Sequence, residues 1–221
     1  LKSAVYCALK AKLNKLTIDN AYIKIIITRG MDYGRLMPSK SLKPTVAIIA
    51  KQLDVKKIKH YQYKGMGAVF LSNKTRPLPH VKSLNLLANI MGLIEANKSR
   101  MQEGIFTNGG KILEGTITNI FIFDGKGIKT PPVKDGILPG ITRRLVIELA
   151  KKQSIKIGEI SLTKTDFENS TEAFLTNSIM EIVPLVKIGD KLIGSGKVGA
   201  LTMKLQQAYK QMVLKQPQNR P

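Results

Sequence analysis

The amino-acid sequence predicts an α/β chain organised as two α+β domains, and three observations carry that expectation. Short runs of β-branched and aromatic residues alternate with segments of helical apolar spacing, glycine and proline cluster between them, and the basic stretch KKIKHYQYKGMG parts a small front portion from a larger remainder. At 221 residues, with 43% hydrophobic and 23% charged residues, the chain can bury a substantial core and has neither a disordered nor a fibrous composition. The expected boundaries are a front domain over 1–58, a linker over 59–66, a larger domain over 67–215 and a fraying tail over 216–221.

Val5, Leu9 and Leu13 repeat every four residues and predict a first helix over 1–13. The run AYIKIIITRG predicts a strand, and Gly30, Gly34, Pro38 and Pro44 punctuate the loop that leads to a second strand over 45–53. A short strand is expected over 68–71. Past Pro77 and Pro79, the residues Leu84, Leu87, Ile90, Met91 and Ile94 mark one helical face running to about Lys98. Asn108-Gly109-Gly110 turns a hairpin between strands over 105–107 and 111–113, because those residues tolerate positive φ. A strand over 117–123 turns at Asp124-Gly125, and a helix over 141–152 closes on lysines that suit the negative end of its dipole. Strands over 173–175 and 182–188 precede a last helix over 198–213, with Leu201, Leu205, Ala208, Tyr209 and Met212 on one side.

Composition removes several classes. No apolar run approaches the roughly 20 residues that cross a bilayer. Cys7 is the single cysteine, so an internal disulfide and Cx2C metal spacing are both excluded, no metal site is expected, and a reducing, cytoplasmic setting follows as the default. The net charge of +21 raises the possibility of nucleic-acid binding, but the basic residues are scattered, mostly lysine, and accompanied by only 5% aromatic residues without tryptophan. A solvated lysine-rich surface accounts for them better, and its diffuse field would steer anionic substrates inward. The chain opens at Leu1 already inside an amphipathic pattern, so the N-terminus looks cut off.

Three segments carry chemistry. Lys82 lies in VKSLN after a proline-rich turn, where an extended backbone can aim its side chain into a cleft; an imine-forming lysine must shed its proton, which partial burial and nearby positive charge promote. Glu114, in LEGTITN, leaves a strand end beside Gly115, which has no side chain to block a flat ring; a solvent-facing strand-end carboxylate is the alternative. Gly140 closes GILPG before a helix whose first N–H groups, at Ile141 and Thr142, make a phosphate cradle at the positive end of the dipole. Thr176, Asn177 and Ser178 end a strand with side chains suited to phosphate oxygens or to capping. A lysine, a carboxylate for a ring nitrogen and a phosphate cradle are the parts of a pyridoxal-phosphate site.

Together VKSLN, LEGTITN, GILPGITR and FLTNS, with 32 residues from Lys82 to Glu114 and 28 more to Thr142, resemble the class IV aminotransferases, fold type IV of the pyridoxal-phosphate enzymes. That family holds branched-chain aminotransferases, D-amino-acid aminotransferases and aminodeoxychorismate lyases. The resemblance implies a D-amino-acid aminotransferase-like fold with an incomplete N-terminal domain, pyridoxal 5'-phosphate as cofactor, and a homodimer acting on an amino acid and a 2-oxo acid. It implies that Lys82 carries the cofactor and shuttles a proton, that Glu114 pairs with the pyridine nitrogen, and that Gly140, Ile141, Thr142 and Ser178 bind phosphate. Ile179 and Met180 would line the substrate side through their backbone groups, with Tyr22 and Lys24 at the substrate carboxylate and Arg35 in a similar role. Lys24 replaces the arginine of branched-chain members and loses its bidentate fork. Leu86 and Leu87 stand where those members carry a tyrosine, and MDYGRLMP lacks the Arg-x-His carboxylate trap of the best-known D-amino-acid enzymes. The expected reaction is therefore amino transfer with a branched-chain or D-amino acid. The alternatives are a lyase releasing 4-aminobenzoate and pyruvate and, more remotely, a non-catalytic basic binding module.

Overall fold

The computed structural model describes residues 20–215, apart from Tyr33 and Arg35. The predicted first helix, the tail and Arg35 lie outside the described residues. The chain divides into two compact units between Lys56 and Lys57.

In the smaller unit β1 (Ala21–Thr28) and β2 (Thr45–Gln52) form an antiparallel pair, with Ala21 opposite Gln52 and Thr28 opposite Thr45. Both strands follow their runs of Ile, Val and Thr, whose branched side chains suit a pleated surface.

The expected linker is a correction. Residues 59–66 form most of helix α1 (Val55–Lys64) and the start of strand β3 (Met66–Leu71), and the division between units falls within the first turn of α1. Val55, Ile58, Tyr61 and Gln62 are its half-buried side, a helical spacing that the many lysines obscure. Gly65, at φ +79°, ends the helix in the left-handed conformation that glycine adopts freely.

The larger unit is built on a nine-stranded mixed sheet. Its further strands are β4 (Glu103–Asn108), β5 (Lys111–Gly115), β6 (Asn119–Phe123), β7 (Ile128–Thr130), β8 (Ile157–Glu159), β9 (Glu172–Asn177), β10 (Glu181–Ile188) and β11 (Lys191–Leu192). The order is β5-β4-β3-β10-β9-β6-β7-β8, with β11 on β10. Ile112 of β5 bridges Leu162, just past β8, through an N–H···O bond of 2.7 Å, so the two ends of the sheet meet and the sheet curls on itself. The β4–β5 turn has Gly109 and Gly110 at φ +55° and +76°, as a two-residue hairpin requires.

Strand alternation assigns the core. Ile105, Ile120, Ile122, Ala173 and Leu175 point into the curl, where they meet Leu162 and Phe167 of the short helix α4 (Lys164–Glu168). Phe121 and Phe174 point outward, stacked 4.8 Å apart, under α3 (Ile141–Lys152) and α5 (Ala200–Lys215), whose Val146, Leu205 and Tyr209 cover them. A third cluster, Leu71, Phe106, Leu113 and Ile137, has Ala88 of α2 (Leu87–Lys98) against it.

Helix α2 reverses the expected amphipathicity. Its buried residues are Asn89, Gly92 and Ala96, while Leu87, Ile90, Met91 and Ile94 are 47–68% exposed. A Cβ at Gly92 would come within 2.6 Å of Leu71 Cδ1 and 2.7 Å of Thr116 Cγ2, so only a small residue lets the helix lie this close to the sheet. Among the described residues no helix is long and apolar enough to cross a membrane.

Candidate active site

The candidate site forms where β5, the turn leading to β6, the 72–86 loop and the N-terminus of α3 converge. Glu114 sits near the end of β5 with only 4% of its surface exposed, which overturns the solvent-facing alternative. Its Oε1 accepts from Arg76 Nε at 2.8 Å, and its Oε2 accepts from the Leu138 N–H at 2.9 Å and from Asn119 Nδ2 at 3.4 Å. Burial pushes the Glu114 pKa up, opposed by the Leu138 N–H, by Arg76 and by the nearby charge of Lys82. Both side chains of the Arg76–Glu114 pair are 6% exposed. Removing one partner of such a buried pair costs roughly 3–5 kcal/mol.

Lys82 lies in the loop, electrostatically coupled to Glu114, and it is exposed where partial burial was expected. The loop is pinned through Arg76 Nη2, which donates to the Pro79 carbonyl at 2.6 Å, and through the His80 ring, whose Nδ1 lies 3.3 Å from the Ile137 carbonyl. Gly115 is closely packed on the opposite face of the strand from the Glu114 side chain. A Cβ there would fall 2.1 Å from Thr118 Oγ1 and 2.9 Å from Glu103 Oε2, so only glycine fits at that position.

Glu103, fully buried on β4, organises that turn. It accepts from the Gly104 and Thr116 N–H groups at 2.9 and 3.0 Å and from the Thr116 and Thr118 hydroxyls. Burial pushes its pKa up and these donors pull against it. From α2, Asn89 Nδ2 donates to the Thr116 carbonyl, while its Oδ1 is buried without a partner.

The carboxylate and the helix terminus are tied together by Asn119, whose Nδ2 also donates to the Leu138 carbonyl at 2.9 Å. Gly140 is packed so closely on Asn119 that a Cβ would lie 2.0 Å from its Oδ1. Helix α3 then starts with no side chain capping its first turn. Thr142 is buried beside the Tyr209 hydroxyl, and Ile141 is 65% exposed. Thr176, register partner of Asn119, has a buried hydroxyl without a partner, and Ser178 is exposed in the turn that follows. In that turn Asn177 Oδ1 accepts from the N–H groups of Ile179 and Met180 at 2.9 and 2.7 Å. Those two N–H groups are thus occupied by Asn177. Glu181, next in the chain, is left-handed at φ +61°, and Gln62 of α1 donates to the Met180 carbonyl at 3.0 Å.

The structure therefore couples Lys82 to Glu114 and ties Glu114, through Leu138 and Asn119, to Gly140 and the start of α3 at Ile141 and Thr142. Ser178 lies in the turn after β9, whose Thr176 pairs with Asn119. Tyr22 and Lys24 share one face of β1 in the smaller unit, with Lys51 Nζ 4.9 Å from the Tyr22 ring centre. Sequence reasoning missed Arg76, Asn119 and Glu103, while Asn177 takes the capping role, one of the two expected of it. One signal for Arg76 was present: the chain has only seven arginines among its 36 basic residues, and this one stands between Thr75 and Pro77 just ahead of the lysine motif.

Residues 4–188 match the family model described as Amino-transferase class IV, and the chain belongs to that family, whose members are pyridoxal-phosphate enzymes. It is an aminotransferase of class IV. It is 37% identical over 206 residues to a Methanocaldococcus jannaschii protein assigned as a branched-chain-amino-acid aminotransferase, covering 90% of this chain and 70% of that one. Identity to the D-alanine aminotransferase of Bacillus licheniformis is 30%, over 93% of this chain and 74% of the relative. The aminodeoxychorismate lyase of Bacillus subtilis is 32% identical, over 91% and 69%. Among solved structures, the branched-chain aminotransferase of Thermoproteus uzoniensis with norvaline superposes with a TM-score of 0.83 at 27% identity, covering 98% of this chain and 72% of that one. The pyridoxal-phosphate form of the Thermobaculum terrenum branched-chain enzyme gives 0.78 at 25% identity, covering 94% and 69%.

Proposed function

We propose that this class IV aminotransferase uses pyridoxal 5'-phosphate held on Lys82 to move an amino group between a branched-chain or D-amino acid and a 2-oxo acid. The observation that carries the proposal is the buried Glu114 carboxylate, ligated by three donors within reach of the charge of Lys82. A carboxylate offers about four lone-pair directions, so Oε1 keeps one for a ring N–H after Arg76 has taken the other. The uncapped first turn of α3 and the partnerless Thr176 hydroxyl support an anion nearby.

When bound, the cofactor supplies an electron sink for a substrate carbanion. Lys82 Nζ would hold the cofactor covalently and, when released, take the proton from the substrate α-carbon and return it. Glu114 would accept the hydrogen bond of the ring nitrogen and keep it charged. The N–H groups of Ile141 and Thr142, with Ser178 and the backbone at Gly140, would orient the phosphate. Ile179 and Met180 would face the substrate once their N–H groups leave Asn177, and Tyr22, Lys24 and Arg35 are the residues proposed for its carboxylate. The exposed aliphatic side of α2 supports a second copy as partner.

The test is a visible spectrum after adding pyridoxal phosphate, followed by borohydride reduction and mapping of the modified peptide. A yellow band trapped on Lys82 is expected, and Lys82→Ala abolishes it with the fold intact. A band trapped elsewhere, or normal turnover by the variant, sinks the assignment. Pyruvate released from aminodeoxychorismate without a 2-oxo acid acceptor would point to the lyase instead.

A further inference from the structure

We infer that Arg76 is a positioning residue for Glu114 and Lys82, a two-armed clamp whose Nε fixes the Glu114 carboxylate while its Nη2 fixes the turn leading to Lys82. The inference rests on the proposed roles of those two residues and assigns a further one to hold them in place.

The loop over 72–86 contains neither helix nor strand, although it carries the lysine. Loops without ladder hydrogen bonds place side chains loosely unless something else ties them, and a site for covalent chemistry tolerates little looseness. Within this loop Leu78 is left-handed at φ +49° and 69% exposed, so its own burial does not offset the strained backbone. Besides the contact of the His80 ring with the Ile137 carbonyl, two hydrogen bonds hold that turn. One is Val81 N–H to the Leu78 carbonyl at 2.9 Å; the other is Arg76 Nη2 to the Pro79 carbonyl at 2.6 Å. Arg76 is itself 8% exposed, so its guanidinium is rigidly placed between the turn and the carboxylate.

Two charged groups face Glu114, Arg76 and Lys82; its other contacts, the Leu138 N–H and the Asn119 amide, are neutral. Lys82 is the group that reacts, and an amine committed to a carbonyl no longer serves as a constant cation. A guanidinium cannot be deprotonated in a protein, which leaves Arg76 as the permanent partner of the buried carboxylate. Lysine at 76 could reach one acceptor but lacks the planar fork that spans both.

The test uses cofactor-free protein, with Arg76→Lys and Arg76→Met compared with wild type. Carboxyl-labelled glutamate followed by NMR, with the Glu114 signal identified through Glu114→Gln, reads the carboxylate; amide exchange at Val81 and Ser83 reads the loop. In Arg76→Met the Glu114 midpoint should rise by at least one pH unit, a tenfold change, and loop exchange should quicken at least tenfold. Arg76→Lys should hold the midpoint closer to wild type while losing the loop protection. It also carries the test if the methionine variant does not fold. Unchanged midpoint and unchanged exchange in a folded Arg76 variant would overturn the inference. Addition of pyridoxal phosphate with borohydride then separates the two readings: no capture by wild type, with the clamp effects intact, rejects the cofactor site and leaves the clamp standing.

Discussion

Glu103 and Glu114 are both carboxylates held almost entirely out of water, and in both burial outweighs the donors around them. In the unfolded chain each titrates near the ordinary glutamate value of 4.5, so between that value and the raised folded one the folded state binds the extra proton. Stability from these groups is thus fully present below about pH 4.5 and is lost as pH rises through the folded pKa. The lowered carboxyls of Asp124, Asp135 and Glu168 act the other way, losing stability as pH falls through their depressed values. We predict that Glu103→Gln removes part of the decline above pH 4.5, measured as the urea midpoint from pH 4.5 to 8. An equally steep decline in the variant would show that Glu103 keeps its charge throughout.

At the scale of elements, α2 shows how packing overrides a sequence pattern. Its large aliphatic residues define the stronger stripe, yet the helix turns Asn89, Gly92 and Ala96 to the sheet, because Leu71, Phe106 and Gly104 already fill the space beneath. The physical reason is distance: small residues allow a close approach and let Asn89 reach the Thr116 carbonyl. Gly92→Val should therefore destabilise by about 1–3 kcal/mol, the range for overpacking a filled interface, despite removing a glycine from a helix interior. A denaturation curve at or above wild-type stability would mean that the helix can lift away at no cost. Because the Thr116 turn lies between Glu114 and Asn119, the same variant should also disturb the candidate site.

On the scale of the molecule, the exposed side of α2 and the lysine-rich surface pull in opposite directions. Leu87, Ile90, Met91 and Ile94 form a continuous apolar strip beside Leu84, a surface that favours association with a second copy. A net charge of +21 opposes association except where repulsion is screened. We expect wild type to sediment as a dimer whose dissociation constant falls as salt is raised, and Ile90→Glu to sediment as a monomer over the same range. A dimer undisturbed by Ile90→Glu would place the interface elsewhere.

Much of this was determined by the sequence itself. The α/β class, the two strands of the smaller unit, the hairpin at Gly109-Gly110 and the span of α3 follow from period, turn chemistry and branched side chains, all of which act over a few residues. The lysine, the carboxylate and the glycine-led helix start were legible for the same reason, as short motifs at fixed spacing. Only the tertiary structure decided that residues 59–66 lie in a helix and a strand, that α2 faces inward with its small residues, and that Arg76 and Asn119 hold Glu114. Those outcomes depend on which surfaces meet across 5 to 119 positions of sequence, where hydrogen bonds and close approach are set by neighbours that local patterning does not encode.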